Sequence, residues 1–296
     1  RGDRTVTTFN GTPNNTVLRS MGQLFSPTNP APSVTVSANK FQTFGNPYAS
    51  RIAFSSVFDA STGINDVFYV WDPKLAGSYN VGGYQTITGI AGYIPTVGTP
   101  PTGNPASDYY PAGVPSPYIE SGQAVFVKGN GSGGNVNFNE NVKVNGNRLV
   151  NRPANTNDPV ARRQFLFTTL FTYTGNIADG NIVAFEKGFG NELNENDAEK
   201  IMNVGENFGL MRNGSILAVE AHEPVKVTDT IFYNMNNLRR QPYQLRFAPV
   251  NMGSINQQPL LIDKFTNIIT PLSLTDSSFV DFNVTADAVS SAADRF

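Results

Sequence analysis

The sequence predicts an all-β protein of two antiparallel β-sandwich domains, jelly-roll or immunoglobulin-like in type, with long loops and at most one or two short helices. Three observations carry this. Residues 33–37 (SVTVS), 135–139 (NVNFN) and 140–144 (ENVKV) alternate with period two, which places one face on a core and one in water. More apolar runs at 66–71 (DVFYVW) and 122–128 (GQAVFVK) read as central strands. Between such runs stand 34 Asn, 27 Gly and 20 Pro, the residues that turns use.

Taken in order, 33–37, 66–71, a short strand at 84–88, 122–128 and 135–144 make a first domain over residues 1–150. Its 77–117 region is rich in Gly, Pro and Tyr; one structureless loop of that whole length would be costly, so the short strand at 84–88 is expected within it, with 98–117 as a long surface excursion. The polar stretch 145–159 interrupts the strands and marks a boundary. A second domain, 160–296, then offers seven strands: 163–171, 181–185, 214–219, 229–232, 243–247, 260–263 and 278–284. Its one credible helix lies near 195–202, with Asn194 as cap, Asp197 in the first turn and Lys200 near the end.

Alternation also assigns faces. In 68–71, Phe68 and Val70 share one side and Tyr69 and Trp71 the other, so this strand should be covered on both. In 163–171, Phe165, Phe167 and Phe171 should enter the second core, leaving Gln164, Leu166, Thr168 and Leu170 on a partly covered outer side.

Composition excludes several function classes. With no Cys there are no disulfides, thiolate nucleophiles or thiolate metal sites. A formal charge of -2, with no basic run longer than the Arg162-Arg163 and Arg239-Arg240 pairs, provides no nucleic-acid footprint. No apolar window is long enough for a transmembrane helix. The chain opens directly on a strand-like stretch after Arg1-Gly2-Asp3-Arg4, which suggests an excised or processed piece. The stretch 127–140 faintly echoes 1–10, each a basic-Gly corner followed by an alternating strand, as in domain duplication.

The blocks 45–50 (GNPYAS), 68–73 (FYVWDP) and 118–127 (YIESGQAVFV) resemble recurring blocks of large surface and secreted proteins of Bacteroidetes. The C-terminal blocks 196–203, 228–232, 243–247 and 292–296 (AADRF) resemble the module preceding the sorting domain in type IX secretion system substrates. The resemblance implies a secreted or cell-surface, adhesin-like location. It also implies partnership with the secretion machinery through a C-terminal domain beyond this chain.

The chemistry of the residues supports a non-catalytic role more than an enzyme. His222 is the only histidine; Glu220 shares its strand face, yet nothing else assembles a nucleophile or metal around the two, so both are expected to be structural. Elbow, zincin and P-loop motifs are absent. Calcium is the one candidate cofactor, at Asp59, Asn65 and Asp66 or at Asn194, Asn196 and Asp197, although Asn and Asp serve tight turns equally well. The series Asn135, Asn137, Asn139 and Asn141 could ladder or bind sugar, with a solvated edge as its plainer reading. Trp71, Tyr84, Tyr93, Tyr109 and Tyr110 offer the best argument for a carbohydrate-binding module that would take surface polysaccharide, since aromatic rings give rigid amphipathic contact area. Thr230 in Asp229-Thr230-Ile231 matches a short O-glycosylation pattern of exported Bacteroidetes proteins. Asn14, Asn130, Asn213 and Asn283 begin Asn-x-Ser/Thr triplets, unsurprising among so many Asn.

Overall fold

A computed structural model describes residues 22–97, 114–144 and 162–296. Arg1-Gly2-Asp3, Asn14, Tyr109 and Tyr110, and most of the 98–117 excursion, lie outside the described residues. Among the described residues the architecture is almost entirely antiparallel β, in several discrete sheets, with one α-helical element, Phe54–Ala60. The chain divides into two compact units, Arg1–Phe68 with Pro117–Val150, and Tyr69–Ser116 with Asn151–Phe296. Residues 69–116 therefore group with the C-terminal part, where the linker composition had drawn one boundary, at 145–159.

In the first unit, β1 (Val34–Val36) pairs antiparallel with β8 (Gly134–Val136), β2 (Phe41–Gly45) with β7 (Ala124–Gly129), and β3 (Ile52–Ala53) with β6 (Tyr118–Ile119). The helix, α1 (Phe54–Ala60), follows β3 directly and buries Phe54 and Val57. Phe54 packs on Phe68 at 4.8 Å between ring centroids, and Phe44 on Phe138 at 5.6 Å. The Thr62–Asn135 bridge brings Gly63 against the chain at Gly133 and Gly134, so a Cβ on Gly63 or Gly134 would collide with the facing backbone. β4 (Ile64–Asp72) begins here; beyond Phe68 the same strand belongs to the second unit and has β5 (Gly83–Thr88) beside it. Phe68, Tyr69 and Val70 are all buried, as a strand covered on both faces requires, whereas Trp71 emerges 39% exposed.

The second unit is built on an eight-stranded sheet. Its strands are β9 (Gln164–Thr172), β10 (Ile177–Phe185), β11 (Ala198–Glu199), β12 (Asn207–Arg212), β13 (Ser215–His222), β14 (Phe232–Asn236), β15 (Pro242–Val250) and β18 (Ser278–Asn283). The order is β14-β12-β13-β10-β9-β15-β18, with β11 added on β13. β16 (Leu260–Asp263) and β17 (Ile268–Pro271) form a separate ribbon. One pair departs from the antiparallel expectation: β10 runs parallel to β13, from Ile182↔Val219 to Phe185↔His222.

Alternating patterns lead one to expect two facing sheets; here one sheet curls into a half-barrel over its own core. Tyr233 of β14 meets Phe247 of β15 edge to face at 6.0 Å, and its hydroxyl lies 3.1 Å from that of Thr168 on β9, although four and five places separate these strands in the sheet. The core holds Leu170, Val183, Phe208, Leu210, Leu245 and Phe282 among others. The C-terminal segment bridges the open edges. Tyr233 N–H donates to Phe296 O (3.2 Å) and Met235 N–H to Ala293 O (3.0 Å) on β14, while Arg295 donates to Asn283 O (2.8 Å) at the end of β18.

Three expectations are corrected. No helix forms near 195–202: Asn194 makes an Asx turn instead, its Oδ1 accepting from Asn196 N–H at 2.9 Å, and the chain runs straight into β11. Residues 140–142 are a 3-10 turn capped by Asn139, not a strand, because Asn139 Oδ1 accepts Asn141 N–H at 2.9 Å and competes with the ladder. The faces of β9 are reversed, with Leu166 and Leu170 packing into the half-barrel core while Phe171 joins Leu75, Val97 and Ile177 on the other side. On that second side Phe165 is buried and Phe167 only half-buried.

The half-barrel interior holds one polar anomaly. Asn181 of β10 shares the face of Val183, is fully buried, and has no hydrogen-bond partner for either amide atom among the described residues. An unsatisfied buried amide costs about 1–3 kcal/mol, and a branched apolar side chain suits this strand position. Asn181→Val is expected to raise the melting temperature by several degrees. An unchanged or lower melting temperature would show that the amide is satisfied in solution.

Candidate functional site

Two groups of residues in the second unit carry chemistry, one buried and one at the surface. The buried group consists of ionisable side chains that tie segments together. Asp179, brought in by β10, meets Lys200 Nζ at 2.6 and 2.8 Å and accepts Phe208 N–H (2.7 Å) and Gly180 N–H (2.9 Å), so it joins β10, β12 and the chain after β11. Burial pushes its carboxyl above the usual range against the pull of Lys200 and these N–H donors. Glu206, 1% exposed, accepts from Ser78 and from the Tyr243 hydroxyl (3.0 Å).

Glu220 and His222 stand together on β13 with Asp197 and Arg212. Glu220 is bonded to the Arg212 guanidinium, and Arg212 also donates to Asn191 O. Asp197 Oδ1 accepts Ala221 N–H at 2.8 Å and its Oδ2 accepts Asn194 N–H at 2.9 Å. His222 is buried edge-on to Phe185, with Nδ1 at 2.6 Å from Glu223 O. Glu223 in turn accepts Gly188 N–H at 2.9 Å. Asp197 and Glu223 thus fix turns and a strand end, and Glu220 holds Arg212. Burial pushes the Glu220 carboxyl up to about 7, Arg212 opposing and Asp197 adding to the rise.

A glutamate whose folded pKa lies above its unfolded one stabilises the fold fully only below the unfolded value near ~4.3, and that contribution is lost as pH rises through the folded value. Stability should therefore fall between about pH 4 and pH 7 by on the order of 2–3 kcal/mol from this group. Chemical denaturation of Glu220→Gln should show that slope flattened. An identical slope would assign it elsewhere.

The surface group is aromatic. β4 and β5 set Trp71 and Tyr84 side by side, ring centroids 5.1 Å apart at 80°, and Trp71 remains 39% exposed. Gly82, at φ +82°, makes room: a Cβ there would lie 2.9 Å from the indole. Tyr84 N–H donates to Asn203 Oδ1 at 2.7 Å. Tyr93 is half-buried in a turn at φ +60°. Tyr79 adds a further aromatic contact: the Arg239 guanidinium lies 3.9 Å from the Tyr79 ring centre, and the Tyr79 hydroxyl donates to Asn237 Oδ1 at 2.9 Å.

Asp59 is exposed on α1, while Asn65 and Asp66 occupy successive positions of β4 and so alternate faces. The oxygens of Asn194 and Asp197 accept backbone N–H groups, the turn usage of these residue types. Among the described residues no three acidic or histidine side chains stand close enough to hold a metal ion. The Asn series is spent locally: Asn135 Oδ1 accepts from Thr35 (3.1 Å) and Asn137 Nδ2 donates to Ala60 O (2.9 Å). Thr230 is exposed ahead of β14. Among the described residues no helix is long and apolar enough to cross a membrane.

Among the described residues the chain is thus an almost entirely antiparallel β protein whose buried carboxylates bond to other segments and whose surface presents the Trp71–Tyr84 pair and the Tyr79–Arg239 contact. The chain belongs to the family described as Domain of unknown function (DUF8693), whose model matches residues 2–296. No curated protein and no solved structure matches it.

Proposed function

We propose that this chain is a non-catalytic, structural and adhesion-associated region of a secreted or surface-attached bacterial protein. The observation that carries the reading is the use of the buried charges. Asp179–Lys200, Glu220–Arg212 and Asp263–Arg295 each join separate segments of the second unit, and Asp197 and Glu206 accept from fixed donors. Carboxylates so occupied serve as fasteners, whereas a general base needs a lone pair directed at a substrate. The sandwich-type, jelly-roll or immunoglobulin-like classification belongs to this proposal, as does export through the type IX machinery, which the resemblance of the C-terminal blocks supports. Exposure of Thr230 is compatible with O-glycosylation.

A second reading, a carbohydrate-binding module, is favoured by the exposed Trp71 ring braced by Tyr84. Surface proteolysis and antibody labelling of intact producing cells test the first reading, which predicts that the chain is accessible from outside. Confinement to the cell interior would sink it, and so would hydrolysis of polysaccharide or peptide by the pure protein that vanishes in folded His222→Ala. A glycan array with the purified chain tests the second.

A further inference from the structure

We propose that the second unit carries a site for an anionic glycan, in which Trp71 stacks one sugar ring and Arg239, held over the Tyr79 ring, takes the carboxylate of a neighbouring uronate. The inference rests on the carbohydrate reading and specifies its ligand. Its first support is the state of Arg239. The guanidinium is stacked 3.9 Å from the Tyr79 ring centre, and the residue is exposed. Neither Arg239 nor the adjacent Arg240 is ion-paired among the described residues, unlike Arg51, Arg163, Arg212 and Arg295. A guanidinium held on a ring face keeps its planar fork of N–H donors at the edge, the geometry that matches a carboxylate with two parallel bonds.

The second support is that Arg239 and Trp71 are held by one locked stretch of chain. Tyr79 and Gly82 are three residues apart, at most about 10 Å between their Cα atoms, which is the span of two or three sugar rings. Gly82 seats the Trp71 indole. Tyr79 is fixed by its bonds to Asn237 O (3.1 Å) and Oδ1 (2.9 Å), and Asn237 Nδ2 donates to Val204 O (2.8 Å) and Gly205 O (3.0 Å). Two residues earlier, Asn203 accepts from Tyr84 N–H (2.7 Å), whose ring braces Trp71. A chain of hydrogen bonds thus joins the stacking ring to the anion receptor. Rigid groups of this kind lose little entropy on binding. A sugar presents an apolar C–H face to an indole, and a uronate adds the charge that an unpaired arginine lacks.

The experiment is isothermal titration of the full chain with polygalacturonate oligomers and, in parallel, with neutral malto-oligosaccharides. The expected result is binding to the uronate, weakened tenfold or more by Trp71→Ala and by Arg239→Ala, not restored by Arg239→Lys, and weakened by added salt. Thermal melts of each variant, both at exposed positions, should match the parent. Binding to neutral oligomers that ignores Arg239→Ala would overturn the anionic site and leave the carbohydrate reading standing. Uronate binding that survives Trp71→Ala but vanishes in salt would reduce the site to a charge contact and also overturn it. No binding to either series would sink both.

Discussion

Arg295→Ala is expected to unfold the second unit or to destabilise it by about 3–5 kcal/mol, the cost of removing one partner of a buried ion pair and stranding the other. Arg295 is 2% exposed and grips Asp263 with two bonds, Nε to Oδ1 at 2.9 Å and Nη2 to Oδ2 at 2.7 Å. Its remaining N–H groups reach Asn283 O and Ser290 O, and its plane lies within 4.9–5.3 Å of the rings of Phe265, Phe282 and Phe296. Losing it would release the C-terminal segment from the edges of the half-barrel. Although burial pushes the Asp263 carboxyl up, hydrogen bonds from Arg295 and Thr266 and the guanidinium charge hold it below the usual range.

A depressed carboxylate contributes stability above its unfolded pKa and loses that contribution as pH falls through the folded one. The parent should therefore lose this part of its stability only below about pH 4. In Asp263→Asn this acid-side loss should be absent. Equal melting temperatures for Arg295→Ala and the parent would refute the role of the clamp.

Phe208→Ala should cost about 3–5 kcal/mol, close to the whole stability of a marginal domain. Phe208 is fully buried, stacked on Tyr233 at 5.1 Å and 16°, and belongs to the half-barrel core. Phe167→Ala should cost clearly less, because that ring is half-buried on the opposite side of β9. Denaturant titration of the two variants gives the comparison. A larger loss at Phe167 would restore the face assignment made from alternation alone.

That reversal shows how far the pattern could be read. In β9 both faces are apolar, Phe165, Phe167 and Phe171 on one and Leu166 and Leu170 on the other. Period two locates the strand but cannot choose its inner side when each side is covered. The choice was made by the 69–97 stretch, whose Leu75 and Val97 pack on Phe171. Linker composition marked 145–159, yet a unit that the chain leaves at Phe68 and re-enters at Pro117 has no compositional sign, since the exit lies within β4 itself. Asn194 and Lys200 carry the end signals of a helix, but these residue types serve turns and buried ion pairs equally well, and Lys200 is drawn to Asp179.

The candidate site was legible to the same degree. Trp71 and Tyr84 stand out in the sequence as aromatic residues, and their contact follows once β4 and β5 are neighbours. Arg239 and Tyr79 are 160 positions apart, and no local signal joins them.

By itself the sequence determined an almost wholly β protein without thiol chemistry, and the approximate positions of most of its longer strands, because period, turn residues and composition act locally. Tertiary structure alone decided the parallel β10–β13 pair, the curl of the sheet and its closure by Arg295, and the pairing of each buried charge. These depend on which distant segments meet, and an ion pair or a ring contact between them leaves no periodic trace along the chain.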